Sequence, residues 1–273
     1  MSASNHRMFL GLRLSRIAGL AALFTYAAIP ATAQKLSPED RFAQARAMYY
    51  IPSGLTSLHC DISIDWKYML LHFGGKQVSD DDPYLHYLNS ARLSVTDDLT
   101  GETTLSWANI GSPPAGTEDA ATKMRTGIEQ ILRGFFQPWN AYMNGAMVPP
   151  FDDTVTVTKA GSGFRIHEVN STGTLDEKYD SNLLLTEAHV VSKYTDAMAY
   201  PKFANTASGR VVSVIRTTYQ TPAAPMTDIT MTIAYVPVDS FQIPSTLKAN
   251  YQKAGDIRLN FSSCTVKTTP VKP

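Results

Sequence analysis

Residues 227–251, TDITMTIAYVPVDSFQIPSTLKANY, carry the reading on which the fold turns. Ile229, Met231, Ile233 and Tyr235 alternate with Asp228, Thr230, Thr232 and Ala234, the period of a strand with one apolar and one polar face. Asp239-Ser240 supplies a turn, after which Phe241 and Ile243 enter a second strand that continues over 246–253. Pro244 interrupts that strand. A proline cannot donate to a ladder, so it belongs at an edge, near a strand start, or at a bulge that bends the sheet. The stretch predicts two antiparallel neighbours in a curved sheet.

The same pattern extends outward. Strands are expected over 257–266 on one side and over 154–158, 163–169, 175–179, 183–191 and 210–219 on the other. Gly161, Gly173, Ser208-Gly209, residues 222–225 and Ala254-Gly255 mark turns, and with no helical crossover between them the strands read as a meander. Nearer the N-terminus, Leu58, Cys60, Ile62 and Ile64 alternate with His59, Asp61 and Ser63, and 91–99 with 103–108 form a hairpin about Thr100-Gly101.

Helices fill the rest. Ser37 caps a helix that begins at Pro38 and runs to about Met48, facing Phe42, Ala45 and Met48 or Tyr49 toward the body. Residues 66–73 fit either strand or helix, and a helical turn or two is expected before Gly74-Gly75. The trio Asp80-Asp81-Asp82 with Pro83 starts a short helix over 84–88. The longest helix covers 118–142, where Ala121, Met124, Ile128, Ile131, Leu132, Phe135, Trp139 and Tyr142 step by three and four along one broad face. Pro138 should kink it or begin a separate last piece. The expected fold class is α+β: one domain over 34–267, a curved antiparallel sheet covered by a long amphipathic helix and short N-terminal helices, and a flexible tail at 268–273.

The first 33 residues read as a signal peptide. Arg7, Arg13 and Arg16 precede an apolar run over 17–29, a breaker at Pro30 and the small-residue site Ala31-Thr32-Ala33. Cleavage there would send the remainder to the periplasm or outside the cell. The chain holds 24 Lys and Arg against 24 Asp and Glu, which gives no basic footprint for nucleic acid. Its two cysteines, Cys60 and Cys264, are a candidate disulfide tying the first strand to the last, worth about 4 to 5 kcal/mol at most by loop entropy; two buried thiols are the alternative.

Motifs for chemistry are thin. Ser245-Thr-Leu-Lys248 matches an S-x-x-K nucleophile, yet it lies in a strand pattern where the two side chains diverge, and no S-D-N or K-T-G follows. His59, His72, His86, His167 and His189 stand apart, without the spacing of a metal site. The acidic trio lacks the ligand spacing of a calcium loop. No P-loop, nucleophile elbow or dinucleotide motif occurs, so no cofactor, metal or catalytic residue is expected.

The order of parts, a leader and N-terminal helix, early strands, a long apolar helix, then antiparallel strands ending through Tyr235-Val-Pro-Val-Asp-Ser-Phe-Gln-Ile-Pro244, resembles the outer-membrane lipoprotein carrier (LolA-like) superfamily. The resemblance implies an incompletely closed half-barrel, lidded by helices, whose concave face holds acyl chains. The ligand would then meet Met124, Ile128, Ile131, Phe135, Phe136 and Trp139 from the helix and Val212, Val214, Ile229, Met231, Ile233 and Tyr235 from the sheet. The expected function is non-enzymatic: a monomer that sequesters a lipid or another hydrophobic molecule. The alternatives are an envelope interaction or sensor module that works through a sheet edge, and a hydrolase built around His167, Glu168 and Asp176.

Overall fold

Four helices and twelve strands succeed one another among the residues described by the computed structural model, 37–99, 102–145, 148, 152, 154–171, 173–193, 195–221, 224–252 and 255–269. The signal segment, the hairpin tip at Thr100-Gly101 and residues 270–273 of the expected tail lie outside them. In chain order the elements are α1 (Pro38–Met48), β1 (Leu55–Ile64), α2 (Trp66–Gly74), α3 (Pro83–Ser90), β2 (Arg92–Asp97), β3 (Thr103–Ala108) and α4 (Glu118–Gly145). Then come β4 (Val155–Ala160), β5 (Gly163–Asn170), β6 (Gly173–Tyr179), β7 (Leu185–Ser192), β8 (Asp196–Thr206), β9 (Gly209–Thr221), β10 (Ala224–Val238), β11 (Phe241–Tyr251) and β12 (Gly255–Thr268).

Local chemistry starts the helices where the sequence says it should. Ser37 Oγ accepts from Asp40 N at 3.0 Å while Asp40 Oδ2 accepts from Ser37 N at 3.3 Å, a capping box. Asp82 Oδ1 caps α3 by accepting from Tyr84 N and Leu85 N, and Asp80 pairs with Lys67 at 2.6 Å, so two members of the acidic trio have structural partners. The ambiguous 66–73 segment is helix α2, closed by Gly75 in the left-handed conformation. α4 contains Pro138 and continues past it to Gly145.

All twelve strands form one antiparallel sheet in the order β3-β2-β1-β12-β11-β10-β9-β8-β7-β6-β5-β4. The chain steps outward from β1 to the edge strand β3, passes through α4, re-enters at the opposite edge β4, and meanders back until β12 pairs with β1. The sheet is therefore open, with β3 and β4 as its ends. Cys60 and Cys264 are disulfide-bonded across the β1–β12 pair, Cα atoms 4.2 Å apart, where the register shifts between His59 and Asp61. β12 runs through Thr268, which pairs with Leu55, so ordered strand occupies the start of the expected tail.

One strand escapes the sequence reading. β8, DAMAYPKFANT, mixes apolar with small or polar residues on both phases and holds Pro201, so it lacks a clean alternation. Of the three places open to Pro244, the structure shows the bulge: it pairs with Tyr235 at a register shift of β10 against β11.

The apolar face of the sheet, here the inner face, packs on α4 at one end. Phe135 and Phe136 stand 6.1 and 6.0 Å from Phe261 of β12. Polar ties fix the helix along β2 and β3: Trp107 Nε1 donates to Glu129 Oε1 at 2.9 Å, Arg133 Nη1 to the Thr103 carbonyl at 2.7 Å, and Asn140 Nδ2 to Asp97 Oδ1 at 2.8 Å.

Candidate functional site

The residues expected to meet a ligand fall into two groups. From α4, Ile128, Phe135, Phe136 and Trp139 are buried to 2 % exposure or less and pack on one another, with Phe135–Phe136 and Phe136–Trp139 edge to face at 5.0 and 5.7 Å. Met124 and Ile131 are partly buried against the same core. From the sheet, Ile229 and Ile233 are buried, while Met231 and Tyr235 are partly so. Val212 is buried on β9, but Val214 pairs with Lys202 and Thr232 on the opposite face. A register shift at Lys202/Phe203 leaves Ser213 as an extra residue, which reverses the side-chain phase of β9; Ile215, not Val214, lies beside Met231.

The inner face is not covered evenly. One cross-strand row runs Glu177, Ala188, Ala199, Thr217, Ile229 across β6 to β10. Its ends are buried, Glu177 at 4 % and Ile229 at 6 %, yet Ala188, Ala199 and Thr217 between them are half-exposed. In the next row Val190 is 41 % exposed. Two alanines at the centre make a shallow floor between these buried ends.

Beside this floor the sheet parts. β7 and β8 pair only over 188–191 with 196–199, whereas β8 goes on pairing with β9 as far as Thr206. The run 200–206 therefore has no β7 neighbour, and Pro201 sits there, a residue with no N–H to leave unmet. On the β7 side Tyr49, just past α1, takes over the missing ladder: Leu185 N donates to Tyr49 Oη at 2.8 Å, and Tyr49 Oη donates to the Leu183 carbonyl at 3.3 Å. Its ring meets Phe203 edge-on at 5.1 Å. The parting encloses about 460 Å³, walled by Leu184, Leu185, Pro201 and Phe203, with Lys202 and Arg210 also in its lining.

Behind the parting lies a buried polar cluster. Tyr179 Oη donates to Glu177 Oε2 at 2.7 Å. Burial pushes Glu177 from 4.5 up to about 8, so the carboxyl keeps its proton at neutral pH. Burial likewise raises Tyr49 to about 12, and burial together with the Glu177 charge raises Tyr179. The sequence holds a signal for this cluster: in LDEKY, residues 175–179, Glu177 shares the apolar phase with Leu175 and Tyr179. Helical spacing offers Met48 or Tyr49 as an inward residue, and Tyr49 is buried, but its partners Leu183 and Leu185 come from about 135 residues further along the chain and leave no local signal.

The outer face carries His167 and His189. His167 Nδ1 meets Asp176 Oδ1 at 3.0 Å and His189 Nε2 meets Asp196 Oδ1 at 2.8 Å, beside a cavity of about 160 Å³ lined by Arg165, Lys178 and Glu187. Glu168 belongs to the inner face, opposite its neighbour His167, so His167 and Asp176 come together without it. Among the described residues no three His, Cys, Asp or Glu side chains are grouped to hold a metal ion. Ser245 and Lys248 both lie on β11, without the helix start that their motif requires.

The chain has no significant match to a family model, a curated protein or a solved structure.

Proposed function

We propose that this is an exported, non-enzymatic protein with a LolA-like half-barrel, which takes a lipid, acyl chain or similar apolar molecule through the β7–β8 parting onto the inner face. The observation that carries the proposal is the cavity of about 460 Å³ between β7 and β8, a volume within the range of small-molecule sites. It adjoins the half-open alanine floor, so an elongated apolar ligand would have both a mouth and a bed. Each methylene removed from water there contributes about 0.8 kcal/mol, which lets a chain bind without a detailed polar code. The Cys60–Cys264 bond suits an oxidising compartment, and among the described residues no helix is long and apolar enough to cross a membrane.

The test is native mass spectrometry of protein purified without detergent, then lipid extraction and titration with a fluorescent fatty acid. Bound apolar mass and saturable uptake, abolished by Ala199→Trp with the fold intact, are expected. Ligand-free protein that ignores the fatty acid would overturn the proposal. The unpaired run of β8 supports a second reading, an extended segment of an envelope partner adding there as a strand. Capture of such a partner, with no lipid uptake, would favour it.

A further inference from the structure

The lining of the β7–β8 parting sets Leu184, Leu185, Pro201 and Phe203 beside polar side chains, and its charged groups, Arg210, Lys202 and Asp180, leave one positive charge in excess. Arg210 and Lys202 both line it, and neither has a carboxylate within ion-pair distance among the described residues. Arg210 instead leans on soft or neutral groups: its Nη1 lies 3.6 Å from Met48 Sδ and its Cζ lies 6.0 Å from the Tyr49 ring. Asp180 is the carboxylate in the lining, and its Oδ1 accepts from Asn182 N and Leu184 N at 2.8 and 2.9 Å, so it serves the turn before β7. Two cations beside an apolar slot, with the nearby carboxylate engaged by backbone, form a site complementary to a molecule with one anionic end and one oily end.

We propose that the ligand is an anionic single-chain amphiphile, its carboxylate or phosphate held by Arg210 and Lys202 and its chain lying against Leu184, Leu185 and Phe203. The inference rests on the binding function proposed above and adds the chemistry of the ligand's head. Arg210, beside Met48 and the Tyr49 ring, offers a planar fork of donors, and Lys202 offers a mobile point charge. A neutral chain would fill the slot and leave its excess positive charge unmatched.

Calorimetric titration of the full-length mature protein with dodecanoate, dodecyl phosphate and dodecanol separates head from tail. Both anions are expected to bind about tenfold more tightly than the alcohol, the scale of a charge-assisted hydrogen bond. Lys202→Gln, at an exposed position that the fold does not need, should weaken both anions and leave dodecanol unchanged; Lys202→Gln with Arg210→Gln should bring the anions to the level of the alcohol. A preference between the two anions identifies the head group, and either preference supports the proposal. Equal affinity for alcohol and anions, or equal weakening of all three ligands by the double substitution, overturns it while leaving apolar binding intact. Wild-type protein that binds none of the three overturns the binding function itself.

Discussion

Between β11 and β12 the ladder stops at Thr246 and Asn260; between β7 and β8 it stops at Ala188 and Ala199. In both places a strand runs on without one of its neighbours, and in both a tyrosine from the end of α1 meets a stranded backbone donor. Tyr50 Oη accepts from Gln242 N at 3.0 Å, as Tyr49 Oη accepts from Leu185 N at 2.8 Å. Successive residues in extended chain point opposite ways, so one short segment serves two strands. The two gaps differ in what occupies them. The run of β11 beyond Thr246 carries Phe241 and Ile243, at 6 % and 0 % exposure, and fills its own gap. The run of β8 carries Tyr200, 41 % exposed, and Lys202, which leave a hollow. Backbone accounting is the same in the two partings; side chains alone decide which is core and which is cavity.

The largest expected effect concerns the hollow side, where Glu177 lies behind the slot. Its folded-state value of about 8 exceeds the ordinary 4.5, so between these pH values the unfolded chain has lost the proton that the folded chain keeps. Stability from this group is complete below pH 4.5 and is lost as pH rises through 8, at a slope approaching 1.4 kcal/mol per pH unit. Glu177→Gln should flatten that slope, as urea denaturation at a series of pH values would show; an unchanged slope would mean that Glu177 is solvated. Next in size, Ile243→Ala should cost about 2 to 5 kcal/mol, while Tyr200→Ala should change stability by less than about 0.5 kcal/mol. Equal costs would erase the distinction between filled and open partings. Smallest is the tyrosine pair. Tyr50→Phe strands Gln242 N in packed surroundings and should cost about 1 to 3 kcal/mol, whereas Tyr49→Phe should cost less, because water in the hollow can take over Leu185 N.

Much of this architecture is legible in sequence because it rests on local rules. Ser37, Pro38 and Asp40 announce α1, the period-2 runs announce most strands, and Pro244 announces a bulge at the place where the register does shift. β8 is hidden because Pro201 and small residues blur both of its phases. The phase of Val212 and Val214 misleads because an extra residue in the β9 ladder leaves no mark in the sequence of β9 alone. The site is harder still. Apolar periodicity reports that Ile128, Phe135 and Trp139 are buried, but burial by a ligand and burial by Phe261 write the same pattern. The parting of β7 from β8 is a property of two strands and a distant tyrosine together, and no single window contains it.

The pairing of β12 with β1 also sets a timetable. Cys60 and Cys264 are separated by 204 positions, and every strand from β4 to β11 is made between them. Until the last hairpin emerges, β1 can zip only to β2 and shows a bare strand edge and an unpaired thiol to its surroundings. Pairing at this sequence distance is slow, and a waiting edge is where chains stick to one another. The newborn protein therefore has its weakest moment at the end of synthesis, and a chain truncated before Cys264 should be far more prone to aggregate than one missing a comparable length ahead of Pro38.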